Sequence, residues 1–149
     1  MDSLLIKRTD KDVPLPSYAY PGDAGLDLTS TVDISIGPFE RVLIPTGLHI
    51  AIPEGHAVLV LPRSGLASKQ GLTLANAPGL IDSRYRGEVM IAAINLDPHS
   101  AVHVSRGSRI AQLVIIATPA MEVVEVEELD DTERGERGFG SSGVARGDG

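Results

Sequence analysis

Prolines interrupt the first half of the chain at nearly regular intervals, at Pro38, Pro45, Pro53 and Pro62. A proline inside a helix removes a hydrogen bond and clashes with the preceding turn, so long helices are excluded there. The segments between the prolines are short and rich in β-branched residues, which favours strands. The pattern predicts an all-β antiparallel sandwich or barrel. The predicted strands are residues 32–36, 41–44, 48–52, 57–61, 72–74, 89–95, 101–104, 110–117 and 122–126.

Only residues 64–70 favour a helix, because Ser64 suits its N-cap and Gly71 suits the position after its last turn. Two functions are open for its start. Arg63, Ser64 and Gly65 form either a phosphate site, where free N–H groups and a guanidinium meet an anion, or a plain capped helix.

Length and composition limit the class of protein. A chain of 149 residues with 42% hydrophobic content predicts one domain with a real core. The absence of cysteine excludes disulfides and thiolate metal sites. No apolar run is long enough for a membrane span, and the N-terminus lacks a signal-peptide pattern, so we expect a cytoplasmic protein without membrane contact. The net charge of −7 argues against a nucleic-acid binder.

The C-terminal segment changes in composition. Eight acidic residues lie between positions 122 and 136, and a glycine-rich stretch follows in which Phe139 stands between two glycines. Composition favours a disordered tail. The alternative is a flexible arm that closes over a ligand with a π-face and phosphates. We therefore divide the chain into a β domain, residues 1–128, and a C-terminal arm, residues 129–149.

Residues 71–88 predict a hairpin with Asn76 near its bend and Asp82 on the returning limb. Asp82 follows two apolar residues, which is a poor place for an ordinary solvated carboxylate. It suits a general base, Tyr85 suits packing against a sugar, and Asn76 suits a nucleobase edge. The alternative is a tight hairpin in which Asp82 caps backbone N–H groups and Tyr85 lies in the core.

Two further stretches contain polar candidates. Asp23 and Asp27 flank a small flexible segment, which predicts either a turn in which Asp23 bonds its own backbone or a place where Asp27 helps to hold a hydrated Mg²⁺. Gln112 interrupts an apolar strand, and in isolation such a residue is expected to face solvent.

Taken together, these stretches resemble the five motifs of the trimeric dUTP pyrophosphatase (dUTPase) family, in order and at family spacing. The matching segments are residues 23–28, 62–67, 79–88, 107–113 and 134–143. Ser142 stands where the family often has threonine, which keeps the hydroxyl.

The resemblance implies a jelly-roll β-fold with one short helix and a flexible C-terminal arm, assembled as a homotrimer with active sites at the subunit interfaces. It implies hydrolysis of dUTP to dUMP and pyrophosphate with Mg²⁺, which supplies dUMP for thymidylate synthesis and keeps uracil out of DNA. Asp82 would activate the attacking water and bond the 3′-OH. Tyr85 would stack under the deoxyribose and exclude a 2′-OH.

The remaining roles are also implied by the resemblance. Asn76 and the backbone at Leu80 and Ile81 would contact uracil, with Met90 beside them. The phosphates and the waters of Mg²⁺ would be bound by Arg63, Ser64, Gly65, Gln112 and Asp27. The arm would close over the nucleotide with Arg134, Phe139, Gly140 and Ser141.

Two alternatives share the expected fold. dCTP deaminases are related to this family, but their chemistry needs a carboxylate close to C4 of the base, in a different local motif. A non-catalytic jelly-roll binding module would have lost the base or the arm, whereas Asp82, Tyr85, Arg134 and Phe139 are all present.

Overall fold

A computed structural model of the chain describes residues 3–139. Within this range the protein is mostly β-structure with one short helix, as predicted. The elements are β1 (Leu5–Arg8), β2 (Leu26–Thr29), β3 (Ile34–Ile36), β4 (Arg41–Ala51), β5 (His56–Pro62), α1 (Ser64–Gln70), β6 (Leu72–Leu74), β7 (Gly79–Ile81), β8 (Glu88–Asn95), β9 (Val102–Val104) and β10 (Arg109–Ala117).

The strands form two four-stranded antiparallel sheets and a two-stranded ribbon. The sheet orders are β1-β4-β8-β6 and β2-β10-β5-β7, and the ribbon pairs β3 with β9. Alternate residues of these strands point inward, so both sheets contribute to one core. Its fully buried side chains include Leu28, Ile44, Val58, Ile91 and Leu113. The predicted all-β class is confirmed.

Two predicted strands, 41–44 and 48–52, are parts of the single strand β4. Pro45 pairs with Met90, and the register shifts between Pro45 and His49. A bulge accommodates a residue that has no N–H to donate, so the proline bends the strand without ending it. β1 and β2 are not among the predicted strands, and β7 was predicted only as part of the hairpin at residues 71–88, since each is short and none is a purely β-branched run.

The predicted strand at residues 122–126 is absent, and residues 118–139 contain no helix or strand. A strand exists only with a neighbour that pairs its backbone groups, and no described strand of this chain lies beside the segment. Its apolar side chains are exposed, with Val123 97% and Leu129 85% accessible.

The predicted hairpin at residues 71–88 is wrong in its pairing. β6 pairs with β8, whereas β7 pairs with β5 in the other sheet. The turn between them, which contains Asn76, therefore joins the two sheets. Local turn signals revealed the reversal but not the distant strands that accept each limb.

Helix α1 begins at Ser64, and Gly71 ends it in the left-handed conformation with φ 72°, as predicted. Ser64 is not the N-cap. Arg63 occupies that position in an extended conformation without a side-chain cap, because Ser64 is already in the first helical turn. Among residues 3–139 no helix is long and apolar enough to cross a membrane.

Candidate active site

A cavity of about 880 Å³ opens beside the central strand β10. β10 pairs with β2 through Gln112 and Asp27, and with β5 through Ala111 and Pro62. Arg63 follows Pro62 directly, so these pairings gather residues from three distant parts of the chain. The polar lining comprises Asp23, Asp27, Arg63, Ser64, Lys69, Gln70, Arg109 and Gln112, and Gly65 lies among them.

Asp27 lies between two guanidinium groups. Its Oδ1 is 3.4 Å from Arg63 Nε, and its Oδ2 is 3.2 Å from Arg109 Nη1. Arg63 also donates to the Arg109 backbone carbonyl at 3.0 Å. Sequence reasoning did not single out Arg109, although it belongs to a matched motif, because its partner lies across the sheet. The two guanidinium groups therefore compensate the negative charge of the Asp27 carboxylate and restrict its orientation in the cavity.

Gln112 faces the cavity and is half-buried, so the expectation of a solvent-facing residue was wrong. Its Nε2 donates to the Pro62 carbonyl at 3.1 Å. Its Oε1 packs against Gly25, where an added Cβ would lie 3.3 Å from Gln112 Cδ and closer still to Oε1. Asp23 accepts the Tyr20 N–H at 2.9 Å, which confirms the turn at that residue.

The segment after β7 forms a second group of candidate residues. Asp82 is exposed, so it is not the enclosed acid that its apolar neighbours suggested. Its carbonyl accepts the Tyr85 N–H at 3.1 Å, which closes a turn. Arg86 Nη1 donates to the carbonyls of Ser83 at 2.6 Å and Tyr85 at 2.8 Å. The turn is thus held by its own backbone and one arginine.

Tyr85 and the predicted base-contacting residues lie at the surface of this group. Tyr85 is 44% exposed, which excludes the alternative that places it in the core. Leu80 is 62% and Met90 37% exposed. Asn76 is also exposed, and its Nδ2 is 3.2 Å from the position a Cβ would take on Gly79, so its side chain lies against the start of β7.

The two groups lie at opposite ends of β5. Ile81 pairs with Val58, whereas Arg63 follows Pro62 at the other end. Arg63 is five positions after Val58, which corresponds to about 16 Å along a strand. Asp82 is accordingly not among the residues that line the cavity.

The hydrogen bonds of the described C-terminal arm residues stay within the arm. Arg134 Nε donates to the Arg137 carbonyl at 2.9 Å, and Arg137 Nε donates to the Arg134 carbonyl at 3.0 Å. Phe139 is fully exposed. Gly140 and Ser141 lie outside the described residues.

The cavity contains carboxylate oxygens that fit a hydrated divalent cation. No group of three or more His, Asp or Glu side chains within residues 3–139 is arranged to hold a metal. Asp27 and Asp23 are the carboxylates of the lining. Mg²⁺ usually retains several waters and binds through one or two carboxylates plus substrate phosphates. These residues therefore fit a hydrated Mg²⁺ that accompanies a polyphosphate.

Comparison with known proteins assigns the chain to a family. The family model described as dUTPase matches residues 11–143. Deoxyuridine 5′-triphosphate nucleotidohydrolase of Rhodococcus erythropolis is 54% identical over 95% of this chain and 86% of its own length. The structure of Staphylococcus bacteriophage 80alpha dUTPase with dUpNHpp is 32% identical, with a TM-score of 0.88 over 97% of this chain and 100% of that chain.

A third relative concerns the metal. A mutant dUTPase from phage phi11 of S. aureus, whose structure describes the coordination of a structural Mg(II) ion, is 26% identical. Its TM-score is 0.80 over 87% of this chain and 100% of that chain. The family model covers most of the chain, the curated relative is more than 30% identical over nearly all of it, and the solved structures share its fold. The chain belongs to the dUTPase family.

Proposed function

We propose that this protein hydrolyses dUTP to dUMP and pyrophosphate in the cytoplasm, where the product serves thymidylate synthesis and the loss of dUTP keeps uracil out of DNA. One observation carries the proposal: β10 gathers Asp27, Arg63 and Gln112 around a cavity equipped for phosphates, in a chain of the dUTPase family. Attack on a triphosphate is opposed by the charge of its oxygens, and fixed positive groups lower that barrier.

Asp82 is the proposed general base. It accepts a proton from the water that attacks the α-phosphorus, and it bonds the 3′-OH of the sugar. Its exposed carboxylate is open to a nucleotide, and the closed turn to Tyr85 fixes its backbone. General-base catalysis contributes about 10²–10⁴-fold, so positioning and charge stabilisation supply the rest.

The base and the sugar are recognised beside Asp82. Tyr85 offers its ring to the deoxyribose and leaves no room for a 2′-OH. Asn76 and the backbone of Leu80 and Ile81 bind the uracil edge, next to Met90. A cytosine leaves donors or acceptors of this backbone unpaired, at about 1–3 kcal/mol for each group.

The phosphates bind at the cavity. Arg63, Ser64 and Gly65 donate to them from the start of α1, and Gln112 contacts a phosphate oxygen. Asp27 orients waters of a bound Mg²⁺, which supplies charge neutralisation when it is present. The described relative with a structural Mg(II) ion supports a metal in this family, and the Asp27 surroundings favour contact through water.

The active site is completed between copies of the chain in a homotrimer. About 16 Å of β5 separates Val58, which pairs with the residue before Asp82, from Arg63, and this supports a nucleotide held by one chain at the base and by another at the phosphates. The exposed Phe139, together with Arg134, Gly140 and Ser141, then closes over the nucleotide from the arm.

Pyrophosphate and ammonia release test this function. We expect pyrophosphate from dUTP, with little from UTP or dCTP, and a loss on the order of 10²–10⁴-fold in turnover for Asp82→Asn with dUTP binding retained. Glu54→Gln, which changes an exposed acid on the β4–β5 turn, is the matched control. Ammonia released from dCTP would instead support a deaminase, and near-normal turnover in Asp82→Asn would remove Asp82 from the role of base.

A further inference from the structure

The ring of Tyr85 occupies the space where Gly87 would carry a side chain. A Cβ added to Gly87 would lie 2.9 Å from Tyr85 Cε2 and closer still to Cζ and the hydroxyl oxygen. Carbon atoms in van der Waals contact are about 3.5–4.0 Å apart, so a methyl group and the ring exclude each other. All three of the nearest atoms belong to Tyr85.

Backbone conformation does not explain the glycine. Gly87 is absent from the glycines with positive φ, which include Gly47 and Gly71. An L-residue meets no φ penalty at this position, so the requirement is one of space beside the ring.

The hydroxyl end of the ring is held by a hydrogen bond. Tyr85 Oη donates to the Glu88 carbonyl at 2.9 Å. Glu88 is fixed in turn, because its Oε1 accepts the Gly47 N–H at 2.8 Å and it pairs with His49 at the start of β8. One ring position is therefore defined by the hydroxyl hydrogen bond, by the space at Gly87 and by the turn that Arg86 holds. Tyr85 nevertheless remains 44% exposed to solvent.

We propose that Gly87 is a positioning residue for Tyr85: its missing side chain keeps the ring at the angle that presents its open face to the sugar. The fixed position of the ring follows from the geometry at Gly87, whereas its effect on sugar recognition rests on the proposed function. Because Tyr85 is partly exposed, a methyl at Gly87 turns the ring outward instead of disrupting the core. The change therefore affects sugar discrimination more than folding.

The test is a double-mutant cycle on the full-length protein. Gly87→Ala is expected to lower kcat/KM for dUTP on the order of 10²-fold, as a misplaced contact group does, and to reduce the preference for dUTP over UTP. In a Tyr85→Ala background, Gly87→Ala is expected to cause no further loss, because the group it displaces is gone. Gly37→Ala, which has only a flexible Glu40 oxygen within 4 Å, is the control.

The possible outcomes separate this inference from the proposed function. If the unmodified protein does not hydrolyse dUTP, the function fails, and the ring position is then read from the Tyr85 ring NMR signals, which Gly87→Ala must shift. Equal ring signals in both proteins, unchanged kinetics, or losses that add in the cycle would each overturn the role of Gly87. If Gly87→Ala unfolds, removal of the ring in the double variant must restore Tm, and failure to do so also overturns it.

Discussion

At the scale of single residues, buried polar groups in this chain are held by several partners. Asn95 is fully buried, and its Nδ2 donates to the carbonyls of Ile36 at 2.9 Å and Ser100 at 2.8 Å. Its Oδ1 accepts the Asp97 N–H at 2.8 Å. One side chain thereby ties β8 to the ribbon of β3 and β9.

Replacement of Asn95 by alanine is expected to lower the free energy of unfolding by about 2–4 kcal/mol, because buried groups lose their partners at about 1–3 kcal/mol each. Urea denaturation measures the change. Asn76→Ala removes the same side chain at an exposed position and is expected to change stability by less than about 0.5 kcal/mol. Equal effects of the two variants would contradict the role of the Asn95 hydrogen bonds.

Residue types alone identified the five motifs, but not every residue that shapes the site. Arg109 was missed because its ion pair with Asp27 exists only through the pairing of β10 with β2. Gly25 and Gly87 were missed because what matters at each is empty space beside another side chain. A linear pattern records residues, and it does not record the volume that a glycine leaves free.

At the scale of elements, the strands with β-branched runs were predicted well except for residues 122–126, and their partners were not. The bounds of β6 were predicted to the residue. Its pairing with β8 instead of β7, however, depends on how the two sheets pack against each other. Such long-range pairing is decided by core packing, which a local window does not contain.

The turn between β8 and β9 predicts an acid-sensitive contribution to stability. The N–H groups of His99 and Ser100 donate to Asp97 and lower the pKa of its carboxyl from the ordinary value of 3.8. A carboxyl whose pKa is lowered in the folded state stabilises the protein when the pH is above the ordinary pKa. This contribution disappears as the pH falls through the folded pKa.

Asp97→Asn is therefore expected to be less stable than the unmodified protein at pH 6, with the difference shrinking below about pH 4. Thermal unfolding between pH 3 and pH 6 measures this, with Glu54→Gln as the control for a lost surface charge. A difference that stays constant over this range would show that Asp97 acts without its charge.

The C-terminal arm predicts a separation of folding from activity. Residues 118–139 contain no helix or strand, so truncation after Asp131 is expected to leave Tm nearly unchanged. The truncation also removes the arm proposed to close over the nucleotide, which is expected to lower turnover on the order of 10²-fold. Phe139→Ala, assayed beside it, separates the aromatic from the rest of the arm, and full activity in the truncated protein would exclude an arm function.

At the scale of the whole molecule, the two groups of proposed active-site residues lie in different parts of the described chain. Asp82 and Arg63 stand at opposite ends of β5, and apolar residues of the 118–139 segment such as Met121 and Val123 are exposed. Sequence motifs identified the parts because each is local. The proposed arrangement between chains lies beyond any single-chain pattern.

Mixing two inactive variants tests the shared site. Asp82→Asn and Arg63→Ala chains, unfolded together and refolded, are expected to recover part of the activity, because some sites receive both intact residues from different chains. Each variant refolded alone is the control. Sedimentation is expected to give three copies of the 15.7 kDa chain. A stable active monomer, or no recovery from a mixed trimer, would contradict the shared arrangement.

The lining of the cavity beside β10 also determines how an anion reaches it. Three basic residues, Arg63, Lys69 and Arg109, and two acidic ones, Asp23 and Asp27, leave one local positive charge on a chain of net charge −7. Fields of exposed charges fade over about 8 Å at physiological salt. The local positive charge therefore attracts a triphosphate only near contact, so the encounter rate gains little from long-range steering. Capture then depends on the last few ångströms of approach, where shape selects the nucleotide.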